Sequence, residues 1–460
     1  MNRAKRTSVD NKTWYLDCIQ KFQKDFNGDT GTFIHSLRKE AAAYLADVGL
    51  PTNKDESWRH SRPNLITQTP FSPTTRSESL STADIQPHEF TETAGQLVFS
   101  NGRYIPELSN IEDIESKIKV RNLATSFTSG ITDFATEQIG RHAGNDTSGF
   151  SALNTAFVED GAAILIPKNV AIEQPIHLMY VSTSESDNST ISFPRTLVIA
   201  EEGSKAAIIE SFVGSASSVN TAISNKDAPT YLTNAVCELI LRPESEIEHI
   251  TLQNESPTSG HVGLLHVTAT RDCRFTSTSV ALGGRYIRRD VVTALEGTGV
   301  ESTLNGLYLG TESEHIDNFT TVEHAQPDCS SQELYKGVLG GASSAVFRGK
   351  IHVHQIAQNT EAFQSNQNLL FSANSDITSL PQLEIYADDV RCSHGSTTGQ
   401  VDEDATFYLQ ARAIPRAQAI RMLTRAFCGE IVDRIGSEPV RQRLHTLTDS
   451  KLEHLISERA

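Results

Sequence analysis

From Trp14 to Val48 the apolar residues recur at helical spacing. Tyr15, Ile19, Phe22 and Phe26 fall at i, i+4, i+7 and i+11 and form one stripe. Phe33, Leu37, Ala41, Tyr44, Leu45 and Val48 form a second. Gly49 stands where a helix end takes a left-handed residue, and Pro51 blocks continuation. Residues 60–95, rich in Ser, Thr and Pro, predict a loop or extended cover. Leu97-Val98-Phe99 and Arg103-Tyr104-Ile105 flank Asn101-Gly102, a hairpin signal.

From about Ala162 to Val390 the period falls towards two. Ala163-Ile164-Leu165-Ile166, Thr196-Leu197-Val198-Ile199, Glu238-Leu239-Ile240-Leu241 and Gly263-Leu264-Leu265-His266-Val267 are short runs bounded by Gly, Ser, Asn or Asp. No helix-length amphipathic stretch interrupts them, which excludes a doubly wound α/β sheet with its crossover helices. So many strands must hide their edges in a barrel, a sandwich or a stacked solenoid. Leu282-Gly283, Leu309-Gly310 and Leu339-Gly340 recur at 27 and 30 residues, and units of that size favour the solenoid.

After Val401 the helical period returns. Asp402-Glu403-Asp404 places acids at the positive end of a helix dipole, and Ala405 to Ala413 fills a short helix. Pro415 opens a longer one with the stripe Ile420, Leu423, Phe427, Ile431 and Ile435. A last helix, Val440 to Ile456, carries Leu444, Leu447, Leu452 and Leu455. The predicted organisation is therefore a helical N-terminal region with linker and hairpin over 1–149, a β core over 150–400, and a helical module over 401–460. Such a module can cap the solenoid or dock another protein.

The 460 residues carry a formal net charge of −17, which disfavours binding to a nucleic-acid backbone or to a membrane through a basic patch. No apolar run approaches a membrane span, and Arg3, Lys5 and Arg6 are followed by no apolar signal segment. Six dispersed cysteines without C-x-x-C spacing give no disulfide framework, no self-contained zinc site and no four-cysteine cluster motif. The expected compartment is a reducing cytoplasm. A phosphate-cradling G-K-[ST] loop, a G-x-S-x-G elbow and an H-E-x-x-H zinc motif are all missing, so ATP is not bound by the common route.

Chemistry concentrates in Asp388-Asp389-Val390-Arg391-Cys392-Ser393-His394-Gly395. Cys392 and His394, two apart on a strand, share one face and offer a sulfur and an imidazole to a soft or borderline metal. Two ligands are half a site, and a partner surface must supply the rest. Read without further context, the pair is a buried cysteine and a hydrogen-bonded histidine at a strand end. Gly395 and Gly399 are expected to turn the chain into the final helices. His352 and His354 form a second such pair, which His324 could extend to a metal face; outward-facing polar residues on a half-solvated strand are the plainer reading. Asp388 and Asp389, being adjacent, point to opposite faces and make a poor acid/base couple.

These motifs resemble the SufB/SufD family, scaffold subunits of the Suf iron–sulfur cluster assembly machinery. Leu383 to Gly395 with Gly399 and Phe407-Tyr408-Leu409 is similar to the SufD-type C-terminal signature, and Gly49 to Trp58 to its N-terminal motif. Phe150, Ala152-Leu153-Asn154 and Asp160-Gly161 match the entry to the core. His324, Pro327, Ser331 and Tyr335-Lys336-Gly337 match another stretch, and Ala357-Gln358, Gln364, Asn366 and Leu369-Leu370 a further one. Ala413 departs from the pattern, which usually has glycine there.

The resemblance implies a right-handed parallel β-helix between N- and C-terminal α-helical regions. It implies pairing with the paralogue SufB through the β-helix, and binding of the ATPase SufC through the C-terminal helices, at Pro415, Ile420, Leu423, Phe427 and Ile431. It implies a non-enzymatic scaffold in which Cys392 and His394 face a transient iron–sulfur cluster or iron shared with SufB. A homodimer of the free chain and a flavin on the assembled complex stay open. The alternatives are a β-solenoid enzyme acting on acidic polysaccharides and a metal-free structural adaptor.

Overall fold

Six strand registers align Val198, Leu239, Val267, Thr293, Val322, Ile351 and Leu383 in one column across successive coils. Six of those seven side chains are apolar. Stacking them buries a face that no single coil can bury alone, which is why the chain winds into a solenoid. The computed structural model describes residues 11–25, 33–74, 80–128, 133–143, 148–183, 189–215 and 230–457. It contains a two-sheeted parallel β-solenoid of about seven turns. Each later coil gives one strand to each sheet, ending with Asp376–Ile385 in the first and Val390–Gly399 in the second.

The corners between the sheets are set by left-handed residues. Gly203, Glu244, Asp272, Gly299, Asp328 and Asn359 all have positive φ and all precede a strand of the second sheet. Glycine, Asn and Asp accept that conformation at least cost. The corners also stack: the Glu244, Asp272 and Asn359 backbone N–H groups donate to Arg271, Thr298 and Asp389 oxygens at 2.7–2.9 Å. The Leu-Gly recurrence is only partly in register. Leu309 pairs with Val338, and Leu339 pairs with Gly310, so Leu339 joins the inner core while Leu282 and Leu309 face outward. A one-residue slip exchanges the two faces of a strand.

The first coil is closed. Gly95–Ser100 adds in parallel to Ile176–Ser182, and Lys119–Asn122 adds antiparallel to Ala162–Ile166. The hairpin forms as expected, with Asn101 and Gly102 at φ 49° and 85°. Residues assigned to a separate region over 1–149 thus complete the solenoid's first edges. The first core strand starts at Ala162, since Gly149–Phe157 is a helix packed on the helix Phe33–Val48.

That helix pair and Asn11–Asp25 lie over the outer face of the first sheet, burying Tyr15, Ile19, Leu45 and Phe150 against Ile191, Leu232 and Val262. Phe26 of the first stripe lies outside the described residues. Gly49 ends the second helix at φ 76°, its N–H on Leu45 O at 2.9 Å. The Leu50–Trp58 motif is a clasp. The Arg288 guanidinium stacks 3.8 Å over the Trp58 ring and donates to Ser57 O and Ser61 Oγ at 3.1 and 2.8 Å.

The helices Glu403–Gln410, Arg416–Val432 and Glu438–Ser457 follow the last strand, and the latter two cover the outer face of the second sheet. Ile431, Val440, Leu444 and Leu452 meet Ile250, Leu252, Leu282 and Leu309 there. Lys336 reaches from the sheet to Glu430 and sits 4.3 Å over the Phe427 ring. Lys451 pairs with Glu314 at 2.8 Å. Pro415 caps the long helix, one residue before its first turn. No helix is long and apolar enough to cross a membrane among the described residues.

Candidate functional site

The last coil is where the solenoid stops without closure. Among the described residues, Asp376–Ile385 and Val390–Gly399 each pair on one side only, with Ser344–Val353 and Thr360–Leu370. Two ten-residue strands therefore end the sheets with a free row of backbone donors and acceptors. Exposed apolar side chains surround this mouth: Ile356, Phe363, Leu380, Ile385 and Tyr386.

Cys392 and His394 both stand on Val390–Gly399 with the same parity. Register places Cys392 beside Ala362 and His394 beside Gln364, two buried inward residues. Both candidate ligands thus lie on the core-facing side of the last coil, beyond which no further strand pairs among the described residues. Cys392 is half-buried against Ile351, Val353 and Ala387, and burial raises its thiol pKa, so it rests as the neutral thiol. His394 is exposed.

His394 ends a column that turns polar as it nears the mouth: Leu304, Glu333, Gln364, His394. Gln364 Nε2 donates to Glu333 Oε2 at 3.0 Å, and Thr320 Oγ1 donates to the same oxygen at 2.8 Å. Burial raises the Glu333 carboxyl to about 7. The remaining oxygens, Glu333 Oε1 and Gln364 Oε1, are buried without a partner. Sequence reading missed Glu333; its signal was an acid two residues from both Ser331 and Tyr335 on the inward parity, visible only once the strand register is known.

Several expected placements are corrected. Gly395 and Gly399 do not turn the chain: both lie within the extended strand, and a Cβ at either would meet nothing within 4 Å. His324 does not join His352 and His354. It faces the core, its Nε2 2.9 Å from Ser331 Oγ, and burial lowers its pKa to about 4. His352 and His354 face outward and pair with Glu384 and Glu323 at 3.1 and 2.7 Å. Asp389 serves the corner, its N–H donating to Gln358 Oε1 at 2.8 Å.

The proposed partner stripe is largely taken by the chain itself. Ile420 and Ile431 are buried in the contact with the second sheet, and Leu423 and Phe427 are half-buried at its margin. The reason is that Leu307, Leu309, Leu334 and Val338 expose an apolar outer face that needs the same stripe. Pro415 alone of the five is exposed. The apolar residues this module leaves free are Phe407, Tyr408 and Met422, 72%, 58% and 44% exposed.

The whole arrangement has known relatives. The SufBD core domain of the SUF iron–sulfur cluster assembly system matches residues 180–427, and the SufBD protein N-terminal region matches residues 9–178. An iron–sulfur cluster assembly SufBD family protein of Synechocystis sp. is 30% identical over 446 residues, covering 96% of this chain and 95% of the relative. The iron–sulfur cluster assembly protein SufD of Escherichia coli is 29% identical over 436 residues, covering 93% and 95%. SufD of Bacillus subtilis is 27% identical over 309 residues, covering 67% and 68%. With both regions matched in order around a solenoid open at its Cys392–His394 end, this chain belongs to the SufBD family of iron–sulfur cluster assembly proteins and is SufD-like.

Proposed function

We propose that this chain is the SufD-type half of a composite scaffold. Its open mouth pairs with SufB, and its C-terminal module docks the ATPase SufC, where ATP hydrolysis resides. The observation that carries this reading is the unfinished last coil, with a sulfur and an imidazole on the inward face of an edge strand paired on one side only among the described residues. Strand addition from a paralogue satisfies the free backbone row and buries the apolar rim in one step. The partner then supplies the ligands that Cys392 and His394 lack.

The chemistry follows from the two groups. Iron or a nascent cluster is cargo here. Cys392 waits as a thiol and loses its proton when a metal ion arrives, while the His394 imidazole offers a nitrogen lone pair. A two-ligand grip holds cargo weakly enough to release it, which suits transfer rather than storage. Without SufB, the same edges pair with a second copy of the chain.

SufC docking rests on Phe407, Tyr408 and Met422 rather than on the buried stripe, with Pro415 fixing the start of the long helix between them. Co-expression with SufB and SufC tests both contacts. Phe407→Ala/Tyr408→Ala should lose SufC and keep SufB. Retention of SufC by that variant would contradict the docking surface.

A further inference from the structure

Deep in the early coils, far along the chain from the mouth residues, three side chains of different chemistry converge. Glu210, Cys237 and His249 offer a carboxylate oxygen, a sulfur and an imidazole nitrogen, all within 4.8 Å of one another. They come from both sheets, on the strands Lys205–Gly214, Tyr231–Leu241 and Glu246–Asn254. All are buried, in a core otherwise built of Phe212, Leu239, Ile247 and Leu265. Burying a carboxylate in such surroundings is costly unless a counter-charge or several donors meet it.

The donors present are specific. His249 Nε2 lies 2.9 Å from Glu210 Oε2, and Cys237 Sγ lies within 4.8 Å of both. Thr196 donates to Glu210 Oε1 at 2.6 Å and is held in turn by Tyr180 at 2.6 Å. His249 Nδ1 is buried with no partner. An imidazole and a thiol from facing walls thus border one carboxylate, where a cation between three ligands would stand.

We propose that Glu210, Cys237 and His249 bind one borderline divalent transition-metal ion, Zn²⁺ or Fe²⁺, at a site separate from Cys392 and His394. A thiolate, an imidazole and a carboxylate suit such an ion and exclude the all-oxygen preferences of Mg²⁺ and Ca²⁺. On binding, the Cys237 thiol releases its proton to solvent, and His249 carries its proton on Nδ1 so that Nε2 is free to ligate. The two anionic ligands then balance the ion's charge. The Arg289 guanidinium donates to Thr251 Oγ1 at 2.7 Å on the neighbouring wall. Walled in by both sheets, the ion enters as the coils close.

The test uses the full chain carrying Cys392→Ser and His394→Ala, purified anaerobically through a tag that binds no metal. Metal content is measured by mass spectrometry, and the chain is then refolded with Co²⁺ under reducing conditions. About one equivalent of metal and a thiolate-to-cobalt charge-transfer band are expected, both lost on adding Cys237→Ser or His249→Ala. A band that survives Cys237→Ser overturns the assignment. If those variants do not fold, the parent decides alone: less than about a tenth of an equivalent and no band in the refolded chain reduce the triad to a hydrogen-bonded network. The outcome is independent of the role of the mouth residues.

Discussion

At the scale of single residues, Glu333 and Ala413 carry the sharpest expectations. Glu333 keeps its proton in the fold up to about pH 7, whereas an unfolded carboxyl loses it near the ordinary value. Between those limits folding takes up a proton, so stability falls as pH rises through that window and levels off above it. Glu333→Gln should remove this loss, leaving the variant more stable than the parent at pH 8 by about 2–3 kcal/mol and close to it at pH 4. Denaturant midpoints at the two pH values check it; a difference that does not change with pH would contradict it. Ala413 adopts φ 63°, so the turn usually made by glycine is made here by a residue with a Cβ. Ala413→Gly should raise stability by about 0.5–1 kcal/mol in thermal unfolding.

The shared face of Cys392 and His394 was legible from their spacing, because strand parity is a local property. Glu333 and Gln364 were not legible as their underlayer, because column membership is set by pairing between coils about 30 residues apart. Gly395 and Gly399 misled for a related reason. A glycine signals freedom, and only the packing tells whether that freedom is used for a turn or leaves room at an open end.

At the scale of elements, an apolar stripe reads the same whether its own chain or another covers it. The stripe from Ile420 to Ile431 was found correctly, and the surface opposite it was not, since the outward Leu307, Leu309 and Val338 are interleaved with inward residues of the same strands. Ile431→Asp should therefore cost at least about 3 kcal/mol and detach the long helix, as seen by circular dichroism and proteolysis. Phe407→Ala should stay within about 0.5 kcal/mol of the parent. Equal losses in the two variants would mean that the helix face has been misassigned. The left-handed corners were equally present in the sequence, as Gly203, Asp272, Gly299, Asp328 and Asn359, and mark the coil better than the Leu-Gly recurrence does.

At the scale of the whole molecule the solenoid is asymmetric. Its first coil is closed by strands from the N-terminal region, and its last is left with paired edges on one side only. The order of helical, strand and helical regions followed from period changes, because periodicity reports which faces are buried, while the parallel β-helix itself followed from the family resemblance. The open end did not, because an edge is the absence of a neighbour and leaves no mark in a strand's own residues. Lysines placed along that edge, Ser396→Lys and Thr398→Lys, should block pairing with SufB while leaving thermal stability nearly unchanged.

The most direct measurement is the iron and acid-labile sulfide content of the complex with SufB and SufC, purified anaerobically with either the parent chain or His394→Ala. The complex should form equally well with both chains, and the His394→Ala complex should hold only a small fraction of the parent's iron and sulfide. Equal iron and sulfide in the two complexes would contradict the account, since the mouth would then be a joint between proteins without a share in the cargo.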